Sequence, residues 1–365
     1  MPVRAPWMDR YAIEQTATLA AKPTFAATAI GIEGTGAAGG VFLAPTTDHP
    51  HLKPSAATQE NELAVGLSQR HHLEYNQTVA QPNTVTINML ANAYNVSLFM
   101  WLLFQEAAGE GAVGSNTIMS AAPYTTADIE QYAAITRIMG GTSGAADTVS
   151  QYMAGCICKS MTISGETGGI VMVSAEMLGA NWAVASNDLG AISWSALTFS
   201  SKAPLKFQDM SFTMDGEPVN IPSFSITINN NAAPQFYNNG TIQKYVLGRL
   251  QVEGNFGIPW GDTAEGGNAT LNDFITGTDK LIKAYWGDAD GSADNALVID
   301  SNIRYTDTEM AETEGEILTN CPFAGVYDGT YDAIKMYAGY ATANLVRGTP
   351  AATTTSTSTT STSTS

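Results

Sequence analysis

The chain has 365 residues, 44 % of them hydrophobic, enough for one large packed domain or two medium ones. Only 14 % are charged, and the balance is lopsided: 16 Lys and Arg against 34 Asp and Glu, a net charge of −18. Holding nucleic acid or an anionic membrane by attraction needs a basic surface, so both are excluded, although such a chain can lie beside DNA without sticking to it.

The opening stretch "MPVRAPWMDRYAIEQ" has no apolar signal core, and no later run has the length of a membrane span. Synthesis in a cytosol and no membrane partner are expected. Residues 1–69, rich in Ala, Gly, Thr and Pro, are expected as an extended arm and loops. Within them "GTGAAG" (Gly34, Gly36, Gly39) spells G-x-G-x-x-G. The proline-broken stretch that follows stands where a pyrophosphate site needs a helix, so this too reads as arm. "HPH" (His49, His51) and "HH" (His71, His72) fit no metalloenzyme spacing and read as loop histidines.

From about residue 70 onward the pattern is β. "NTVTINML", "KSMTIS", "GGIVMVSAEMLG", "MSFTMDGEPVNIPSFSITINNN", "KYVLGRLQVEGNFGIPW", "KLIKAYWGD", "NALVIDSNIRY" and "YDAIKMYAG" carry Thr, Val, Ile, Tyr and Phe at period two, and Gly, Asn or Asp close the runs. This predicts a mainly β chain, an antiparallel sandwich or barrel with one or two flanking helices. A first β half is expected over 70–200, with a helix over 95–107 (Ser97 as N-cap) and a long inserted loop over 109–150. That helix is apolar nearly all round, so it is expected to pack deeply against a sheet. Inside the inserted loop, residues 125–139 read as a second helix, with Tyr132, Ile135 and Met139 on one face. A second β half is expected over 203–347, with a short helix over 270–277, and residues 348–365 form a Thr/Ser low-complexity tail, expected flexible or extended. The two halves offer their elements in a similar order, which raises the possibility of an internal duplication.

Little in the chain suggests catalysis. G-x-S-x-G, S-x-x-K and the P-loop pattern are absent, and no cofactor or metal is expected. Cys156, Cys158 and Cys321 are too few and too scattered for a disulfide framework or a zinc site, and read as buried thiols. "DADGSAD" (288–294) resembles part of a calcium loop, but its Gly291 stands too early and no Glu closes it, so it reads as a polar hairpin turn. "RYTDTEMAETEGEI" is the densest acidic stretch: Asp307, Glu309, Glu312, Glu314 and Glu316, expected in a loop leading into a strand. Acids so crowded suggest a solvated patch rather than a catalytic pair in a cleft.

A resemblance adds to this reading. "SFSITINNNAAPQFYNNGTIQKYVLGRLQVEGNFGIPWGD", followed by "NDFITGTDKLIKAYWG", resembles the tail tube (major tail) proteins of tailed bacteriophages. Its features are the Asn-rich turn of Asn229, Asn230 and Asn231 and the strand carrying Gly248, Arg249, Val252, Glu253 and Gly254, then a short helix and a hairpin. "CICKSMTISGETGGIVMVSAEMLG" looks like the same family's paired strands, and the likeness runs over roughly 70–340. The resemblance implies a virion protein assembled in the host cytoplasm. Its sheets would join edge to edge into rings, and the rings would stack into a tube through which double-stranded DNA passes without specific binding. Three chains would make a ring if the duplication is real, six if it is not, and other tail proteins would close the tube ends. Asp307, Glu309, Glu312, Glu314 and Glu316 then become a candidate DNA-repelling lumen patch or inter-ring contact. The alternatives are another tail ring protein (distal tail or terminator) and, from a different class, a secreted β-sandwich adhesin or glycan-binding module.

Overall fold

The computed structural model describes residues 10–16, 41–43, 52, 56–63, 73–80, 83–105, 111–113, 116–121, 132–139, 149–186, 203–236, 242–260, 267–291, 293–313 and 316–341. In chain order, β1 (Arg10–Thr16), β2 (Val41–Leu43), β3 (Ala56–Leu63) and β4 (Leu73–Ala80) precede β5 (Asn83–Leu90) and helix α1 (Ala93–Phe104). Then come β6 (Gly111–Val113), β7 (Asn116–Ala121), β8 (Tyr132–Met139), β9 (Val149–Glu166), β10 (Met172–Gly179) and β11 (Asn181–Ser186). After a 3-10 turn (Phe207–Asp209) follow β12 (Met210–Met214), β13 (Glu217–Pro218), β14 (Ser223–Asn229), β15 (Ala233–Phe236), β16 (Ile242–Val246) and β17 (Gln251–Pro259). Helix α2 (Gly267–Thr276), β18 (Lys280–Trp286), β19 (Leu297–Tyr305), β20 (Glu309–Thr313), β21 (Glu316–Gly325) and β22 (Lys335–Ala341) complete the order.

The protein is mainly antiparallel β, built around a large curled sheet with few helices. The long strand β9 organises it. At Gly155, φ 63°, a conformation that favours glycine, the strand changes partners. Its first part lies between β8 and β11, and its second between β10 and β14. From that second part a run of seven strands extends in the order β5–β10–β9–β14–β17–β21–β20. Beyond it, β21 also pairs with β19, which pairs with β18 and β22.

One face of the seven-stranded run is the core. Val85, Ile87, Met161, Ile163, Val173, Ala175, Phe224, Ile226, Phe256, Cys321 and Phe323 alternate inward and are buried. Helix α1 packs against β9 and β10 and against β7 and β22 of the facing layer. Its Val96, Phe99, Met100, Leu102, Leu103 and Phe104 are all fully buried. One apolar cluster joins residues of both expected halves. The series around β5 and around β17 are wired differently: β5 pairs with β10, whereas β21 stands between β17 and β19.

Several expectations need correction. Helix α1 starts at Ala93, not at residue 95. Its cap is Asn92, whose Oδ1 accepts from the Asn95 amide at 2.7 Å, while Ser97 is buried inside the helix. The helix ends at Phe104, before the left-handed Gln105 (φ 57°), whose side chain donates to the Leu102 carbonyl at 2.7 Å. Residues 132–139, expected within a helix, form strand β8 between β1 and β9; residues 125–131 lie outside the described residues. Ala133 to Thr136 are all buried, and a strand covered on both faces shows no alternation by which to tell it from a helix. The region expected as arm and loops contains β1, whose Tyr11 and Ile13 are buried in the core. The histidines, "GTGAAG" and the Thr/Ser tail lie outside the described residues. Helix α2 forms at the third expected position and ends at Gly277, φ 67°.

Candidate functional site

The outer face of the seven-stranded run is rich in short polar side chains. Read across the register, one row is Asn88, Ser174, Thr162, Thr227, Glu253 and Ala324. The row beside it runs Leu90, Met172, Ser164, Ser225, Asn255 and Pro322, apolar at its two ends. Thr162 and Thr227 join hydroxyls across the strand pair at 2.9 Å. The seven strands contain six acids (Glu166, Glu176, Glu253, Glu309, Glu312, Glu316) and one cation, Lys159.

That lysine is neutralised where it stands. The register between β9 and β10 shifts at Glu176/Met177, and Lys159 is the extra residue of the bulge. Its Nζ reaches both Glu176 oxygens, at 3.0 and 3.2 Å, and Ser160 donates to the same carboxylate at 3.3 Å. In the facing layer four cations are paired with aspartates: Lys280 with Asp215 and Asp273, Lys283 with Asp300, Arg304 with Asp279 and Lys335 with Asp332. Lys280 is the most enclosed of these. Burial opposes its charge, but hydrogen bonds to Asp215 and Asp273 outweigh burial and hold its pKa above the ordinary lysine value.

The acidic stretch is a β-hairpin rather than the expected loop. Strand β20 pairs with β21 from Glu309↔Asn320 to Thr313↔Glu316, and Glu314 lies outside the described residues. Strand β17 ends at Pro259, opposite Leu318, so the hairpin's last pairs extend past it. Asp307 is exposed at the bend before β20, where its Oδ1 accepts from the Thr308 amide at 2.8 Å. By register, Glu309 stands opposite Asn320, itself opposite Gly257, and Glu316 stands opposite Thr313, so both positions share the parity of the polar rows, whereas Glu312 has the other parity.

The polar face was missed by sequence reasoning, although its signal was present. In "TVTIN", "KSMTIS" and "SFSITIN" the outward positions are Thr and Ser rather than the Lys and Glu common on solvated strands. The aromatic residues divide as core or rim: Phe256 and Trp286 are buried and Trp260 is exposed. The 288–294 turn connects β18 to β19, and Gly291 in it has φ 75°. Burial raises the pKa of all three thiols, and pushes that of Cys321 up to about 12. Among the described residues no helix is long and apolar enough to cross a membrane, and no group of three or more His, Cys, Asp or Glu is placed to hold a metal ion.

Compared with known protein families, residues 16–325 match one described as phage tail tube protein. The chain belongs to the phage tail tube protein family. It is a structural tail component of a virion, and the family implies self-association into a tube. No similar sequence was found among curated proteins.

The tail tube resemblance rests on residues whose packing explains them. Asn230 is fully buried, and its Nδ2 donates to the carbonyls of Leu103 (3.0 Å) and Cys158 (2.8 Å), tying β14 to α1 and β9. Asn231 donates to the Arg249 carbonyl at 2.7 Å. A Cβ on Gly248 would lie 2.7 Å from that of Asn231, and one on Gly254 would clash with the Phe323 ring and lie 2.6 Å from the Ser225 carbonyl oxygen. Val252 is buried, while Arg249 and Glu253 are exposed.

Proposed function

We propose that this tail tube protein forms rings of three chains, and that the polar face of the seven-stranded run lines a bore through which double-stranded DNA moves. The observation that carries this reading is the charge of that face, with its only Lys held by Glu176. A wall that conducts DNA must wet it without holding phosphates, and each free Lys or Arg would add an attractive contact. Short hydroxyl and amide groups with a few carboxylates meet that need. The register supports Glu309 as part of this wall.

The number of chains is argued from strand spacing and not from a duplication, which the different wiring of the two series does not support. Strands β5 and β20 each have one neighbour among the described strands, so their outer edges are open for joining copies, and a closed ring covers edges that would otherwise aggregate. Three chains supply 21 strands. At about 4.8 Å each these span about 100 Å, a backbone diameter of about 32 Å before strand tilt widens it. Six chains would double this to about 64 Å. A duplex is about 20 Å across, its grooves accounting for about 8 Å of depth on either side. Three chains therefore enclose one duplex closely. Assembly in the host cytoplasm, with other tail proteins closing the tube ends, completes the proposal.

Electron microscopy of the purified full chain over a concentration series tests it. Rings or tubes with three-fold top views are expected. Particles that stay monomeric at every concentration, or six-chain rings, would count against the reading.

A further inference from the structure

The seven-stranded run also has two ends, and the hairpin at one is basic while the hairpin at the other is acidic, although exposed Glu253 and Asp328 stand at the first end and exposed Lys206 near the second. At the Gln251 end of β17 the chain leaves the sheet after Asn229 and returns through the β15–β16 hairpin. From 229 to 252 the sequence holds Lys244 and Arg249 and no acid. Both cations are exposed, and neither makes an ion pair among the described residues, unlike Lys159, Lys280, Lys283, Arg304 and Lys335. The hairpin is firmly seated: Tyr245 and Ile242 are buried, and the Tyr245 hydroxyl donates to the Gly155 carbonyl at 3.0 Å. At the Pro259 end stands the β20–β21 hairpin, with acids at 307, 309, 312 and 316 and no Lys or Arg from 307 to 316.

We infer that the acidic β20–β21 hairpin of one copy docks on the basic β15–β16 hairpin, at Lys244 and Arg249, of a copy in the next ring. The inference rests on the tube reading above and names its stacking contact. The partner is a second copy of this chain, because the two complementary patches lie at opposite ends of the same antiparallel strands. A contact between different patches related by a shift along those strands repeats without closing, which is the symmetry a stack needs. Charge complementarity also fixes polarity: like ends repel, so rings add head to tail.

The test compares full-length wild type, K244E/R249E, and a charge swap adding E312K and E316K to that double variant. Circular dichroism checks folding, and electron microscopy with sedimentation separates rings from tubes. The inference predicts tubes for wild type, folded unstacked rings for K244E/R249E with the tube-forming threshold raised roughly tenfold or more, and tubes again for the swap. Wild-type tubes should also fall apart into rings as salt rises from about 0.05 to about 1 M, where screening shortens to about 3 Å. Tubes from K244E/R249E at the wild-type threshold would overturn the inference and leave the tube reading standing. A swap that fails to restore stacking would overturn the pairing with the acidic hairpin. Loss of rings in K244E/R249E would place the contact within a ring and overturn it too. A wild type that forms neither rings nor tubes would bring down the tube reading, and this inference with it.

Discussion

Single residues set how tightly the sheet is held. Asn230 joins three elements from a position without solvent, so Asn230→Ala leaves the Leu103 and Cys158 carbonyls without their donor. A loss of about 2–4 kcal/mol in denaturant unfolding is expected. Gly254→Ala forces a methyl against Phe323 and a strand carbonyl, at a cost of about 1–3 kcal/mol in the same measurement. The Asn-rich turn and both glycines were visible in the sequence as a motif, but their reasons were not, because each depends on atoms brought together by β14, β17 and β21. Lys280 gives a pH signature. Its folded pKa is raised, so its contribution is full below the unfolded lysine value of about 10.4 and is lost as pH rises through the higher folded value. The stability gap between wild type and Lys280→Met should therefore be constant near neutrality and shrink in strong alkali. The buried thiols, with their raised pKa values, should stay unreactive to a thiol reagent until the protein unfolds.

Elements show what the sequence could and could not reveal. The half-buried strands were legible because their residues alternate: β5 reads buried–exposed along Val85, Thr86 and Ile87, and β14 reads buried–half-buried along Phe224, Ser225 and Ile226. Strand β8 was not legible, since Ala133 to Thr136 are covered on both faces and its pattern passes for a helix. The acidic stretch was legible as charge but not as a hairpin, because Glu and Ala at alternate positions carry little β signal and pairing with β21 decides the outcome. The apolar sequence of α1 announced its burial. Phe99, fully enclosed between the layers, should cost about 3–5 kcal/mol when cut to Ala.

For the whole molecule, the proposal gives every boundary of the seven-stranded run its own use. One face packs the core; in the proposed tube the other face meets DNA, the edges close the ring and the ends stack. No single residue predicts this, because the polar face exists only when Thr162 and Thr227, 65 positions apart, become cross-strand neighbours. A cryo-electron microscopy reconstruction of the assembled tube at side-chain resolution tests this division at once. The row of Asn88, Ser174, Thr162, Thr227 and Glu253 is expected on the wall of the bore. Finding that row on the outer surface of the tube, or buried between rings, would contradict the proposed function.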